Sequence, residues 1–192
     1  MALHRQGACQ HGAGLLSVLR GNQVQIGYVY IRPAKALYVR AFGPYKSSAA
    51  TAWSAMFSWL EERGLRQRIS RGYGIINDNP SSTKPHLRRY DACIDLSVEC
   101  DADPAHGVGY RTVPGGAYVV HRHIGRHRTL GAGFSYIHRK WVPGQGLQVD
   151  PLRPYLEIYL NDPAVTPAQE LQTDLCVPVF PIAGTGSNRL SA

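Results

Sequence analysis

The 192-residue sequence predicts an α+β fold, in which two pseudo-twofold strand-helix-strand-strand modules form an antiparallel sheet with two helices and a central groove. The first observation is an internal repeat, because Trp59 recurs as Trp141 and Asp91 recurs as Asp174 at nearly the same spacing. The second is that both copies show the same order of strand and helix periodicities. A repeat of this length is a supersecondary unit, and two copies normally bury one shared core, with a special site near their axis.

The local patterns of the first module predict four strands and one helix. A Gly43-Pro44 turn precedes the helix, Ser47 or Ser48 is placed to cap it, and Gly64 ends it in the left-handed conformation. The apolar residues of one helix face, spaced i, i+3, i+4 and i+7, are Trp53, Met56, Phe57 and Leu60. The predicted strands cover residues 24–31, 36–42, 72–76 and 90–98, of which the first is an extra, leading strand.

The second module repeats this order without the leading strand. After a turn at Gly125, a helix is predicted from about Thr129 to a stop at Pro143-Gly144. The apolar residues of this helix are Phe134, Ile137 and Trp141. The predicted strands cover residues 117–124, 155–160 and 175–180, and loops rich in Asn, Asp and Pro cover residues 77–85 and 161–167.

Length and composition predict one binding domain over residues 24–183, with modules at about 24–104 and 105–183 and loosely held tails over 1–23 and 184–192. No apolar run approaches the roughly 18 residues of a membrane span, and the first residues lack the pattern of a signal peptide. The four cysteines form no CxxC pair, which argues against zinc and redox motifs. We therefore expect a cytoplasmic protein with reduced thiols, no cofactor and no metal.

The net charge of +8 suggests nucleic acid as a partner. Residues 1–60 contain no acidic side chain, but the basic residues are mostly spread singly and form no recognisable motif. Residues 1–23 are also too few for a helix-turn-helix. A solvated basic face without sequence-specific DNA binding is the preferred interpretation, and weak, salt-dependent association is the alternative.

The strand over residues 155–160 carries the candidate chemistry, because its side chains alternate between two faces. The aliphatic face, which we expect to pack against the helices, consists of Leu156, Ile158 and Leu160. The opposite face consists of Tyr155, Glu157 and Tyr159. Two interpretations stand side by side: an ordinary solvated glutamate, or a cation receptor in which ring faces and a carboxylate act on one positive charge.

The repeat favours the cation receptor. By the same shift that relates Asp174 to Asp91, Tyr155 corresponds to Gly72 and Glu157 to Gly74. One module thus offers an aromatic and acidic wall and the other offers space. The alternative is that both glycines only accommodate a β-bulge. If Gly74 lines a ligand groove, the substitution Gly74→Leu would fill the ligand space and abolish binding, while the stability of the fold would change only modestly.

Further motifs occur in a fixed order along the chain. They are Tyr28, Gly43-Pro44-Tyr45, Trp53, Trp59-Leu60, Gly64, Asp78-Asn79-Pro80, Arg89-Tyr90-Asp91-Ala92-Cys93, Gly125, Trp141-Val142-Pro143-Gly144 and Pro154-Tyr155-Leu156-Glu157-Ile158-Tyr159. In this set and spacing the sequence resembles the GyrI-like effector-binding family over about residues 24–183. That family includes the C-terminal sensor domains of multidrug-responsive bacterial activators and stand-alone DNA gyrase inhibitory proteins.

The resemblance implies a groove that binds amphipathic, often cationic molecules against an acidic residue, which corresponds to Glu157. The aromatic neighbours implied for this groove correspond to Tyr155, Tyr159, Trp141, Tyr45 and Trp59. His127 replaces an aromatic residue of the family pattern, so we expect a more polar rim there. The expected partners are a cationic small molecule and DNA gyrase or a regulator protein, with no membrane.

The resemblance leaves a second function open, since some relatives hydrolyse reactive genotoxic compounds with the pocket glutamate as base. Glu157 and Tyr159 are suited to either role, and binding without hydrolysis is the preferred hypothesis. A metal site is the alternative for His121, His123 and His127, for which a structural or surface role is preferred.

Two repeated residue types are interpreted as structural. Asp91 and Asp174 each open the last strand of a module, and we expect them to accept hydrogen bonds from turn N–H groups. Cys93 and Cys176 are expected to be small, buried apolar residues.

Overall fold

The computed structural model describes residues 26–182. Alternating apolar residues form the strands in this range. In this range the strands are β1 (Ile26–Ile31), β2 (Ala34–Phe42), β3 (Ile69–Ile76), β4 (Arg89–Leu96), β5 (Val108–Val113), β6 (Gly116–Ile124), β7 (Leu147–Val149), β8 (Tyr155–Tyr159) and β9 (Gln172–Pro181). The helices are α1 (Tyr45–Glu62) and α2 (Leu130–Tyr136). The predicted tails, 1–23 and 184–192, and the first two residues of the predicted leading strand lie outside the described residues.

The strands pair antiparallel throughout the described chain. Eight of them form one sheet in the order β1-β6-β9-β8-β3-β4-β2-β5, and β7 pairs with β9 beside this path. The order consists of two equivalent halves that meet where β8 pairs with β3. The predicted α+β fold of two modules with antiparallel sheet and two helices is therefore confirmed.

The repeat and the strand register together locate the pseudo-twofold axis. Gly74 lies directly opposite Glu157 in the β3–β8 ladder. The same two residues are equivalent in the repeat, since the shift that relates Asp91 to Asp174 also relates Gly74 to Glu157. A twofold axis relates equivalent positions to each other, so it passes between Gly74 and Glu157. The acidic residue singled out from the sequence therefore lies at the centre of the sheet.

The leading strands are exchanged between the modules. β1 precedes β2 in the chain but pairs with β6 of the second module, whereas β5 precedes β6 but pairs with β2 of the first. The two strands are themselves a repeat, because Tyr28 of β1 recurs as Tyr110 of β5 by the shift that relates Trp59 to Trp141. The prediction of a single extra strand is thus incomplete, since β5 is its counterpart.

α1 packs one face on the sheet of the first module. Its buried residues are Ser48, Ala52, Met56, Trp59 and Leu60. Gly64 follows the helix with a φ of 63°, as expected for a left-handed helix end. The predicted capping by Ser47 or Ser48 is wrong, because α1 already begins at Tyr45. Inside its first turn both hydroxyls donate back to the carbonyl oxygen of Pro44, at 2.9 and 3.2 Å.

The second helix is shorter than the sequence predicts. After α2 the chain continues through a π-helical turn (Ile137–Trp141) and a 3-10 turn (Val142–Gln145). Gly131 and Gly133 weaken the α-helix, and Pro143 cannot extend it. Within the described range, neither helix combines the length and apolar character needed to cross a bilayer.

Both faces of β8 are buried, and this reverses one expectation. Trp53 of α1 contacts Tyr159, and Phe134 of α2 contacts Tyr155. The helices therefore lie on the face that carries Glu157, and the expectation that they cover the aliphatic face is wrong. The opposite face carries a second apolar cluster from both modules. Its members on the central strands include Leu156, Ile158, Tyr73, Ile75, Cys93 and Cys176.

Equivalent ion pairs connect neighbouring strands in the two modules. The guanidinium of Arg40 binds Asp91 in a bidentate manner at 2.7 and 2.9 Å, and Arg122 binds Asp174 likewise at 2.5 and 3.1 Å. Arg111 also pairs with Asp91, whose side chain is fully buried. The expected partners, turn N–H groups, are thus replaced by arginines, because each pair lies directly across a ladder.

Asp91→Ala is expected to lower the free energy of unfolding by about 3 kcal/mol, because it leaves the mostly buried Arg111 without a counter-ion. The matched variant Asp174→Ala should lower it by about 1 kcal/mol, since the Arg122 side chain is 36% exposed and keeps water as a partner. Urea unfolding followed by tryptophan fluorescence measures both values. Equal losses in the two variants would contradict this account.

Candidate functional site

The site is centred on the carboxylate of Glu157. The residue is 7% exposed and faces the helices from the middle of β8. Its Oε2 atom accepts hydrogen bonds from the Tyr90 hydroxyl at 2.7 Å and the Tyr159 hydroxyl at 2.6 Å. The two hydroxyl oxygens are themselves 2.9 Å apart. Tyr90 belongs to the first module and Tyr159 to the second, so the carboxylate connects the two.

Gly74 provides the space for this arrangement. A Cβ atom at this position would lie 2.5 Å from Oε2 of Glu157 and 2.9 Å from Cζ of Tyr90, and closer still to the Tyr90 hydroxyl. Only a residue without a side chain leaves both groups in place. The space beside Gly74, expected to hold ligand, is thus occupied by Glu157 and Tyr90 of the protein itself. The register shift in the β3–β4 ladder lies elsewhere, between Ile69 and Arg71.

Aromatic rings cover the carboxylate from the helix side. The indole Nε1 of Trp53 donates to the Tyr90 hydroxyl at 3.2 Å, and the ring meets Tyr159 edge-on at a centroid distance of 5.2 Å. The ring of His127 also contacts Tyr159, at a centroid distance of 5.1 Å. Gly72 makes room for Trp53, because a Cβ there would lie 3.2 Å from the indole edge. These rings give the site an aromatic roof.

Tyr155 extends the aromatic surface toward one end of β8. Its ring lies against Phe134 at 5.6 Å. Its hydroxyl shares a hydrogen bond of 3.1 Å with Nδ1 of His138. The predicted residues Tyr155, Glu157, Tyr159, Gly72 and Gly74 thus lie together on one face of two paired strands.

The other predicted site residues lie further out. Trp59 is 4% exposed and packs in the core beneath α1, where its indole donates to Asp103 at 3.0 Å. Trp141 is half-buried against the core of the second module. The Tyr45 hydroxyl binds the backbone of Asp78, and its ring centroid is 6.5 Å from that of Tyr90.

Sequence reasoning missed Tyr90, Trp53 and His138 as members of the site. Both Tyr90 and Trp53 belong to the ordered motifs, but the local patterns assign them only to a strand and to a helix face. A usable signal for Tyr90 was the repeat, because Tyr90 corresponds to Thr173 in the second module. The two modules thus carry side chains of different size at this position, as they do at Gly74 and Glu157. His138 offers no such signal, because its contact with Tyr155 depends on the π-helical turn.

Burial controls the protonation of the central groups. It raises the pKa of the Glu157 carboxyl, while the hydrogen bonds from Tyr159 and Tyr90 act in the opposite direction. Burial and the neighbouring carboxylate raise the pKa of Tyr90 and Tyr159 well above the usual value, so both stay protonated donors. Burial, together with His123, lowers the pKa of His127, whose ring is therefore neutral at neutral pH.

The three histidines of the predicted string do not form a metal site. Across residues 26–182, no group of three or more His, Cys, Asp or Glu side chains is placed to hold a metal ion. Nε2 of His123 shares a hydrogen bond of 3.0 Å with the Thr129 hydroxyl, and His127 packs on Tyr159. The arrangement suits recognition of an organic molecule through rings and a carboxylate.

The fold and the site define a class of protein: a domain of two repeated α+β modules, with a shielded carboxylate and aromatic rings at their axis, suited to holding a small molecule. A family model, the GyrI-like small molecule binding domain, matches residues 25–179. The chain therefore belongs to the GyrI-like family, and the resemblance noted in the sequence is confirmed.

Two relatives extend this comparison. The probable transcriptional regulator YgiV of Escherichia coli (strain K12) is 33% identical over 122 residues, which are 63% of this chain and 75% of YgiV. DNA gyrase inhibitor 1 of Dickeya dadantii (strain 3937) is 25% identical over 124 residues, 62% of this chain and 77% of the inhibitor. The chain is thus similar to both a regulator and an inhibitory protein.

Solved structures share the fold. The C-terminal domain of EcmrR superposes with a TM-score of 0.65 at 14% identity, covering 82% of this chain and 98% of that domain. SAV2435 bound to tetraphenylphosphonium has a TM-score of 0.51 at 11% identity, covering 82% of this chain and 94% of SAV2435. At these identities the likeness shows the fold alone.

Gly74→Ala is expected to lower the free energy of unfolding by about 2 kcal/mol, because the new methyl group separates Tyr90 from Glu157. The earlier expectation that Gly74→Leu changes stability only modestly is corrected by the same contacts. Gly72→Ala is the matched control and should change stability by less than about 1 kcal/mol, since only the indole edge must shift. Chemical unfolding compares the two, and similar losses would argue against a crowded centre at Gly74.

Glu157→Gln is expected to gain stability relative to the wild type as the pH rises. In the folded wild type the pKa of the Glu157 carboxyl is raised above its ordinary value of 4.5, so the carboxyl keeps its proton to a higher pH than in the unfolded chain. Between that value and the raised pKa the unfolded chain binds fewer protons, so the free energy of unfolding falls with rising pH. Glutamine does not titrate and avoids this loss. Unfolding of both proteins at about pH 4 and about pH 7 measures the effect, and a pH-independent difference would show that the Glu157 pKa is not raised.

Proposed function

We propose that this domain binds amphipathic, cationic small molecules at the axis between its modules, with Glu157 as the counter-ion. The observation that carries this proposal is the contrast between the buried acids. Asp91 pairs with two arginines, whereas Glu157 has no Lys, Arg or His partner among residues 26–182 and accepts hydrogen bonds from neutral hydroxyls. A shielded carboxylate without a cation is a receptor for one.

The energetics favour a ligand that is both cationic and aromatic or apolar. Burial disfavours the charged form of Glu157, and a bound cation offsets that cost by direct attraction. Trp53, Tyr155 and Tyr159 add ring faces, on which a cation gains further stabilisation. Because the roof rings lie close over the carboxylate, we expect Trp53 to shift when a ligand enters.

The comparisons support this proposal in two ways. SAV2435, a protein with the same fold, has a solved structure in which it is bound to tetraphenylphosphonium, a large aromatic cation. A relative at 33% identity is a probable transcriptional regulator, which fits a domain that senses a compound and passes the signal to a regulator protein. We take residues 24–183 as the unit that performs this function, with modules at about 24–104 and 105–183.

Two other functions stay predictions. Inhibition of DNA gyrase is supported by the likeness to DNA gyrase inhibitor 1, at 25% identity. Hydrolysis of a reactive ligand needs a water positioned by Glu157, and both observed hydrogen bonds to the carboxylate come instead from tyrosines. Incubation of a reactive ligand followed by mass measurement separates hydrolysis from binding.

The test is a titration of wild type and Glu157→Gln with tetraphenylphosphonium and with neutral triphenylphosphine oxide, read by tryptophan quenching. The variant keeps the shape of the site but removes the charge. We expect it to lose about 1.5–3 kcal/mol of affinity for the cation and little for the neutral compound. Wild-type affinity for the cation should also fall as the pH drops and Glu157 is protonated.

Glu170→Gln is the matched control, because Glu170 is an exposed glutamate in the loop after β8, outside the strands that carry the site. It should leave both affinities unchanged. Equal losses for cation and neutral compound in Glu157→Gln, or none for the cation, would assign Glu157 a structural role and overturn the proposal.

A further inference from the structure

A cleft of about 320 Å³ opens next to the carboxylate site. It lies between the loop after β3 and the loop before β8, at the end of the ladder where Ile76 pairs with Tyr155. Both of these residues line it. Its volume is at the lower end of the range for small-molecule sites, so it can hold part of a ligand.

Tyr155 connects the cleft to Glu157. The two residues share one face of β8 and are two positions apart, which places them about 7 Å from each other along the strand. The Tyr155 ring, supported by Phe134, forms an apolar surface between the carboxylate and the cleft. A ligand that extends from Glu157 along this ring enters the cleft.

The chemistry of the cleft differs from that of the carboxylate site. Its charged side chains are already paired within the protein, since Arg153 Nε donates to Asp150 at 2.7 Å and Arg89 binds Asp78 at 2.6 Å. A second cation would therefore find both carboxylates of the cleft already paired with arginines, and an anion would find the guanidinium there already paired with a carboxylate. The cleft favours an uncharged polar group.

Hydrogen-bonding groups remain available for such a group. His138 uses Nδ1 toward Tyr155, and its Nε2 has no partner in the described part of the chain. Asn79 accepts a hydrogen bond from the Ser81 N–H through Oδ1, which leaves its amide N–H groups to donate. Both residues line the cleft.

We infer that this cleft is a second subsite, which takes an uncharged polar group, such as a hydroxyl or an amide, at the far end of a ligand whose cation binds at Glu157. The inference deepens the proposed function and rests on it. The ligand class is an elongated molecule with a cationic end, an apolar middle that packs on Tyr155, and a polar end about 7 Å or more from the cation.

The test compares two matched pairs of probes by calorimetric titration of the full chain. One pair is hexyl- and hydroxyhexyltriphenylphosphonium, and the other is ethyl- and hydroxyethyltriphenylphosphonium. In the wild type the hydroxyhexyl probe should bind roughly threefold to tenfold more tightly than the hexyl probe, the value of one net hydrogen bond. The hydroxyethyl probe is too short to reach the cleft and should show no such gain over ethyltriphenylphosphonium.

Two cleft variants and one control complete the experiment. Asn79→Ala should reduce the gain from the hydroxyl while leaving the affinity for the hexyl probe within about twofold, and His138→Ala should reduce the same gain. His86→Ala, an exposed histidine outside the cleft, should keep the gain. Glu157→Gln should weaken the hexyl and hydroxyhexyl probes by the same factor.

The outcomes separate the two proposals. Equal affinities of the hexyl and hydroxyhexyl probes in the wild type, or a gain that survives both cleft variants, would overturn the subsite and leave the cation site standing. If none of the phosphonium probes binds, the cation site fails, and the subsite fails with it.

Discussion

A carboxylate buried at the centre of the sheet, with no cationic partner among residues 26–182, is the constraint on which the rest of the site depends. Such a group needs donors, and these come from Tyr90 and Tyr159, one from each module. It needs room, which Gly74 provides across the ladder. It is screened from water by Trp53, which itself donates to Tyr90. The rings, the glycine and the glutamate are thus coupled, since a larger side chain at Gly74 would displace both Tyr90 and Glu157.

The repeat builds a symmetric frame, and the site arises where the two copies differ. The frame is preserved in the bidentate pairs Arg40–Asp91 and Arg122–Asp174, which stand at equivalent positions. At the axis, in contrast, a glycine faces a glutamate, because strict symmetry there would bring two carboxylates or two empty positions together. Divergence of the copies at the axis is what allows one charge to lie in the centre.

Much of the fold could be predicted from the sequence, because hydrophobic periodicity and the internal repeat are both visible in the spacing of the residues. The central position of Glu157 followed from its alternation with Tyr155 and Tyr159 and from its correspondence to Gly74. The face on which the helices lie could not be predicted, since both faces of β8 are buried and alternation alone does not distinguish them. The contact of Tyr90 with Glu157 depends on the lateral order of the strands, which strand periodicity does not encode. The repeat marks Tyr90 as a position where the modules differ but does not show what it contacts.

The exchange of β1 and β5 between modules has a consequence for the order of folding. Ile26 of β1 pairs with His121, so the first described strand has to wait for a partner that is synthesised only after the whole first module. β8, which pairs with β3, is synthesised later still. Contacts between such distant segments are slow to form, and they tie both modules into one cooperative unit. A half of this chain made separately would therefore lack a partner for its leading strand, and neither half would contain all residues of the candidate site.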